Sequence, residues 1–235
     1  ISTQASTGIN RTTWDLRYAS SFPVSGSGDP FESGGSAMLA PPGKYGVSMA
    51  MVYNDSIKTL QGPEWFNIKA LNNATLAATD KLAQADFYKK VFETGRVVLG
   101  AFSIADDLEG RIKAVRQAIE QTPAMPFEFV LKAKSLQDEL NKIQISFKGN
   151  PSLEKRNENQ PPSIANRMYS LVYSHWSHTS APTNTMKNDY AIILNEFEPL
   201  YNKLKTLLNT YLKQLESEME KYAAPYTPGR FPELK

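Results

Sequence analysis

Near residues 72–80 the spacing of apolar side chains changes, and this change limits what the chain can fold into. Before it, apolar residues recur at every second position; after it, they recur at steps of three and four almost to the end. The first pattern is clearest in Leu39–Tyr53. Pro41-Pro42-Gly43 makes a turn, because proline fixes φ and glycine accepts a sharp reversal. Then Tyr45, Val47, Met49 and Met51 alternate with Lys44, Gly46, Ser48 and Ala50, which predicts a strand with one buried face. Asn54-Asp55 predicts a hairpin turn into a second strand, Ser56 to Leu60. Ile9–Tyr18 also alternates, with Trp14, Leu16 and Tyr18 on the bulkier face, and Trp65–Lys69 reads as a closing strand beyond Pro63. About four strands in the first 72 residues predict a small immunoglobulin- or fibronectin-like β-sandwich, one small enough to borrow a strand or packing surface from a neighbour.

The second pattern predicts helices. Leu82, Ala85, Tyr88, Val91, Phe92, Val98, Leu99 and Phe102 share one helical face, and Leu108, Ile112, Val115 and Ile119 continue it. The spacing fits one long helix or two joined near Ser103; Thr122-Pro123 and Met125-Pro126 stop it. Further helices are expected over Pro126–Phe147, from Pro161 to Trp176, and from about Thr183 to Tyr222, the last carrying Pro199 inside it, where a kink is expected. Connected stripes on three or four such helices predict an antiparallel bundle over residues 73–235. The expected fold class is therefore α+β in two parts, a β-sandwich (1–72) followed by a helical bundle with an irregular tail. Residues 19–38, with six serines, four glycines and two prolines, read as a long loop, and 150–160 as a solvated one.

Charge and composition exclude several function classes. The formal net charge is +2, which offers no electrostatic footprint for nucleic acid. No apolar run reaches the ~18 residues of a membrane span. The chain has no cysteine, hence no disulfide, thiolate nucleophile or cysteine metal site. It begins Ile1-Ser-Thr-Gln, which reads as a fragment.

Each candidate site has a plainer account beside it. His175 and His178 have a metal-compatible spacing but lack carboxylate or cysteine companions, which favours a helix-end or loop role. Asp106, Asp107 and Glu109 form an acidic group, read as the first turn of a helix capped by Ser103. Asp15 pairs with Arg11 or Arg17 on its own strand more readily than it serves as a catalytic acid. Gly26, Gly28, Gly34 and Gly35 lack the strand-to-helix context of a phosphate loop. The late leucine stripe packs within the chain more simply than as a seam between chains. Trp14, Tyr18 and Trp65 are the candidate ligand-binding residues: exposed and in line they would stack on sugar rings, and buried they are core. No catalytic residue, metal site or cofactor is expected.

Asn10-Arg-Thr-Thr-Trp-Asp-Leu-Arg-Tyr18, a loop, and then Leu39-Ala-Pro-Pro-Gly-Lys-Tyr-Gly-Val47 resemble the segment that follows the β-propeller in large secreted bacterial proteins, particularly of Bacteroidetes. Those proteins carry sortilin-like or BNR-type repeats and are often labelled glycosyl hydrolases. Pro161-Pro-Ser-Ile-Ala-Asn-Arg-Met168 and Ala181-Pro-Thr183 before a long helix are also similar to theirs. The resemblance implies a non-catalytic C-terminal accessory module, packed on or capping an upstream β-propeller of the same polypeptide. It also implies an extracytoplasmic location, and it transfers no active-site residue. Asp55-Ser56-Ile57 resembles the short O-glycosylation acceptor of that phylum. The alternative is a carbohydrate-binding module, with a glycan as partner; an autonomous glycoside hydrolase would need a pair of carboxylates that the sequence does not present.

Overall fold

The computed structural model describes residues 1–20, 37–71 and 79–232. The serine- and glycine-rich stretch 21–36, with the four glycines considered for phosphate, lies outside the described residues, as do 72–78 and 233–235.

The expected β-sandwich does not form. The molecule is mostly helical (56%), and the one sheet among the described residues is a two-stranded antiparallel hairpin. Strand β1 is Gly43–Tyr53 and β2 is Ser56–Ile68, joined through Asn54 and Asp55, both at positive φ. Trp65–Ile68 is not a separate closing strand but the far half of β2, opposite Gly43–Gly46. Proline did not end the strand because Pro63 falls in a bulge of an edge strand, where its missing N–H breaks no ladder bond. Two register shifts let the 13 residues of β2 pair with the 11 of β1, with Gly62-Pro63 facing Ser48 and Leu60 unopposed. Residues 9–18 are not a strand either. They make one bridge, Arg17 to Leu39, with Tyr18 N–H donating to the Met38 carbonyl and Ala40 N–H to that of Leu16.

The helices follow in order: α1 (Lys81–Glu120), α2 (Glu128–Lys148), the short α3 (Pro151–Lys155), α4 (Ile164–Ser177), α5 (Asn184–Thr206), a π-helical turn (Leu207–Leu212) and α6 (Lys213–Lys221). Side chains cap several starts: Asp80 accepts from the amides of Leu82 and Ala83, Ser163 from Asn166 and Thr183 from Met186. α1 is one rod of 40 residues with no join at Ser103. The acidic group therefore sits mid-helix instead of in a first turn. Asp106 pairs with Lys148 of α2, and Glu109 bonds Lys113 and Gln144. Lys113 and Gln144 hold the Glu109 carboxyl below the usual carboxylate range.

Tyr88, Val91, Val98, Phe102, Leu108, Ile112, Val115 and Ile119 of α1 are buried, whereas Leu82, at its exposed start, is not. Those from Val91 onward meet Leu140 and Phe147 of α2, Met168 and Leu171 of α4, and Ile193 of α5 in a single core. α5 continues through Pro199. The following π-helical turn inserts one residue, so the buried stripe runs Leu204, Leu207, Leu212, Leu215, Met219 with one step of five. After α6 the chain reverses at Ala223 (φ 52°) and lies back on the helices. Ala224 and Thr227 are buried, and Arg230 pairs with Glu220. Gly229 (φ 83°) passes so close to Arg111 that a Cβ there would stand 2.6 Å from its Nε.

Candidate functional site

β1 and β2 pair from Gly43 to Tyr53 apart from the two register shifts, yet no helix packs along the hairpin among the described residues. The alternation read from the sequence is present: Tyr45, Val47, Met49, Met51 and Tyr53 share one face. The face is not buried, because no second sheet lies over it among the described residues. Val47 and Met49 are each 56% exposed, and Met51 and Tyr53 are exposed too. The other face carries Val52, Ile57 and Trp65, all exposed. A hairpin with two open apolar faces is an arm, not half of a sandwich. Isolated two-stranded hairpins are marginal in water, and contiguous apolar patches beyond a few hundred Å² mark interaction sites.

The arm is organised at its base. Trp14 sits against Tyr45 (centroids 5.6 Å apart) and Phe66 (6.3 Å), and Tyr45 and Phe66 stack directly across the ladder. Trp14 Nε1 donates to the Arg17 carbonyl at 2.6 Å, and the Tyr45 hydroxyl to that of Pro41 at 2.7 Å. Partial burial and the adjoining Tyr18 hydroxyl raise the Tyr45 phenol to about 12. Of the three candidate ligand residues, Trp14 and Tyr18 thus come together on this face. Trp65 lies on the opposite face, 61% exposed, covering Gly46 with the Lys44 ammonium 5.0 Å from its ring. A side chain at Gly46 would press on the Trp65 ring at 3.1 Å, which explains the glycine there. The Trp14 and Tyr45 planes meet at 58°, so these rings form a tilted cluster and not a flat row.

Asp15 bonds Arg17, accepting from its backbone N–H at 3.1 Å. Arg17 in turn joins the arm to the bundle: its Nη1 donates to the Ala37 carbonyl, which also accepts from Trp176 Nε1, and its guanidinium lies over the Trp176 ring.

The residue that the sequence did not single out for this joint is His175. On α4, packed between Tyr88 and Phe92 of α1, its Nε2 accepts the Leu39 amide at 2.9 Å. Burial, and secondarily the charge of Arg17, lower its pKa to about 4. His178 turns away to the Ser174 carbonyl, so the two imidazoles serve different ends. A cleft of about 160 Å³ lies at the joint, lined by Pro41, Pro42, Lys81, Gln84, Tyr88 and His175 among others. Among the described residues no group of three His, Cys, Asp or Glu is placed to hold a metal ion, and no helix is long and apolar enough to cross a membrane.

No family model, curated protein or solved structure matches this chain.

Proposed function

We propose that this chain is a non-catalytic accessory module that docks its hairpin arm on the β-propeller of a secreted polypeptide to which it belongs. The observation that carries this reading is the row Val47, Met49, Met51 and Tyr53, apolar and open to water on a strand already paired with β2. Such a row gains about 25 cal/mol for each Å² it buries against a partner. The two motifs behind the resemblance also support it, since Trp14, Arg17 and Tyr18 of one meet Leu39, Pro41 and Tyr45 of the other at the base of the arm. An extracytoplasmic location belongs to the same proposal.

The test is calorimetric titration of this chain with the separately produced propeller region of its parent polypeptide. Binding that disappears in Val47→Asp and Met49→Lys, and survives Leu131→Lys on the exposed side of α2, is the expected result. Binding indifferent to the arm substitutions, or no binding, would overturn the reading. The carbohydrate-binding alternative rests on the open ring of Trp65. Saturable binding on an oligosaccharide panel, lost in Trp65→Ala, would replace the docking proposal.

A further inference from the structure

We propose that His175 is an acid-sensitive latch: unprotonated, it holds the hairpin arm to the helical bundle, and protonation of its Nε2 releases the arm. The inference is independent of what the arm binds.

The geometry supplies the mechanism. Leu39 is two residues before the turn that starts the arm, and its amide points at His175 Nε2 from 136 positions away in sequence. The bond needs the Nε2 lone pair, so it exists only for the neutral ring carrying its proton on Nδ1. A proton on Nε2 would set two donors face to face and place a cation in the joint. The charged and titratable groups there make that cation unwelcome. From the segment leading into the arm comes the Arg17 guanidinium. From α1 come the Lys81 ammonium, which lines the cleft, and the neutral phenol of Tyr88, whose ring centroid is 4.5 Å from that of His175. From the C-terminal end of α4 comes a second imidazole, that of His178, which also lines the cleft. No Asp or Glu is among the residues lining the cleft. The His175–Leu39 bond ties the start of the arm directly to α4, beside the Ala37 carbonyl shared by Arg17 and Trp176.

The direction follows from linkage. Docking holds the ring at about 4, and release of the arm, which opens one side of it to water and takes Arg17 away, raises it toward the ordinary 6.5. The proton therefore favours the released state. Docking is fully held above about pH 6.5 and weakens as the pH falls toward 4, by up to roughly a hundredfold there at tenfold per unit.

The experiment is amide-resolved NMR from pH 7.5 to 4, following the Leu39 amide, its exchange protection corrected for intrinsic rates, and the His175 ring. Far-ultraviolet circular dichroism reports the helices in parallel. In the parent chain the Leu39 amide should lose protection at least tenfold by pH 4.5 while helical signal stays constant. His175→Gln, whose carbonyl can accept the same amide and does not titrate, should keep Leu39 protected across the range. His178→Ala should behave as the parent. Unchanged protection of Leu39 at pH 4 would overturn the latch. So would loss of protection in His175→Gln at the same pH as the parent, including loss through general unfolding.

Discussion

Met49 and Met219 carry the same side chain in opposite environments, so one substitution made twice measures whether the arm face is covered. Met219 is fully buried in the bundle core, whereas Met49 is 56% exposed on the hairpin. Met→Ala in a packed interior removes the transfer energy of the deleted atoms and leaves a cavity, together about 2–5 kcal/mol. At Met49 less than half of the side chain is out of water, so at most about 1 kcal/mol of the roughly 1.5–3 kcal/mol for full burial is at stake. Water fills the space, so there is no cavity cost. Alanine's lower strand preference adds a few tenths at an edge. Urea denaturation followed by circular dichroism at 222 nm should therefore place Met49→Ala within about 1.5 kcal/mol of the parent and Met219→Ala at least about 2 kcal/mol below it. The two variants should show similar m-values, since neither changes how much chain unfolds. A cost above about 2 kcal/mol at Met49 would refute the open arm and mean that something in the chain covers that face. If the cost grew with protein concentration, the cover would be a second copy.

Three further outcomes follow from single contacts. Gly229→Ala combines a left-handed residue, about 1–2 kcal/mol, with displacement of Arg111 and its half-buried pair to Glu216. In an Arg111→Ala background the second part should vanish, and strict additivity in thermal melts would refute the contact. Asp189→Ala strands the half-buried guanidinium of Arg167, whose Nε already lacks a partner, and should cost about 1–2 kcal/mol by the same melts. In an absorbance titration at 295 nm, one of the eleven tyrosines should ionise near pH 12 and disappear from that range in Tyr45→Phe. Because folding favours the neutral phenol, its contribution is intact below pH 10 and is lost as the pH rises toward 12.

The elements were more legible than their assembly. Period two along Tyr45–Met51 describes a strand with unlike faces, but it carries no information on whether another sheet covers one of them. That is where the sandwich expectation failed. Pro63 looked like a stop because its lost donor matters in a central strand; on an edge, at a bulge, it does not. Ser103 looked like a cap, yet a serine inside a long stripe caps nothing unless the helix begins there, and α1 begins at the Asp80 cap. Steps of three and four carry the late stripe through Leu208 and Tyr211, but the structure buries Leu207 and Leu212 instead and leaves Tyr211 exposed, because the turn there is π-helical and the buried pair is five apart. Trp14 and Tyr18 share a surface through the Arg17–Leu39 bridge, but nothing in their spacing sends Trp65 to the opposite face. His175 could not be found from its neighbours at all, because its partner is a backbone amide 136 residues away.

The unbroken length of α1 has a mechanical consequence. The arm is seated near Tyr88 and the C-terminal tail near Arg111, on one rod without proline or join. At 1.5 Å per residue these seats are separated by roughly 35 Å. The helix therefore works as a spacer that sets how far the joint stands from the tail. A label or tether placed at the tail stands clear of the arm, and the distance between two such probes reads any movement at the joint directly.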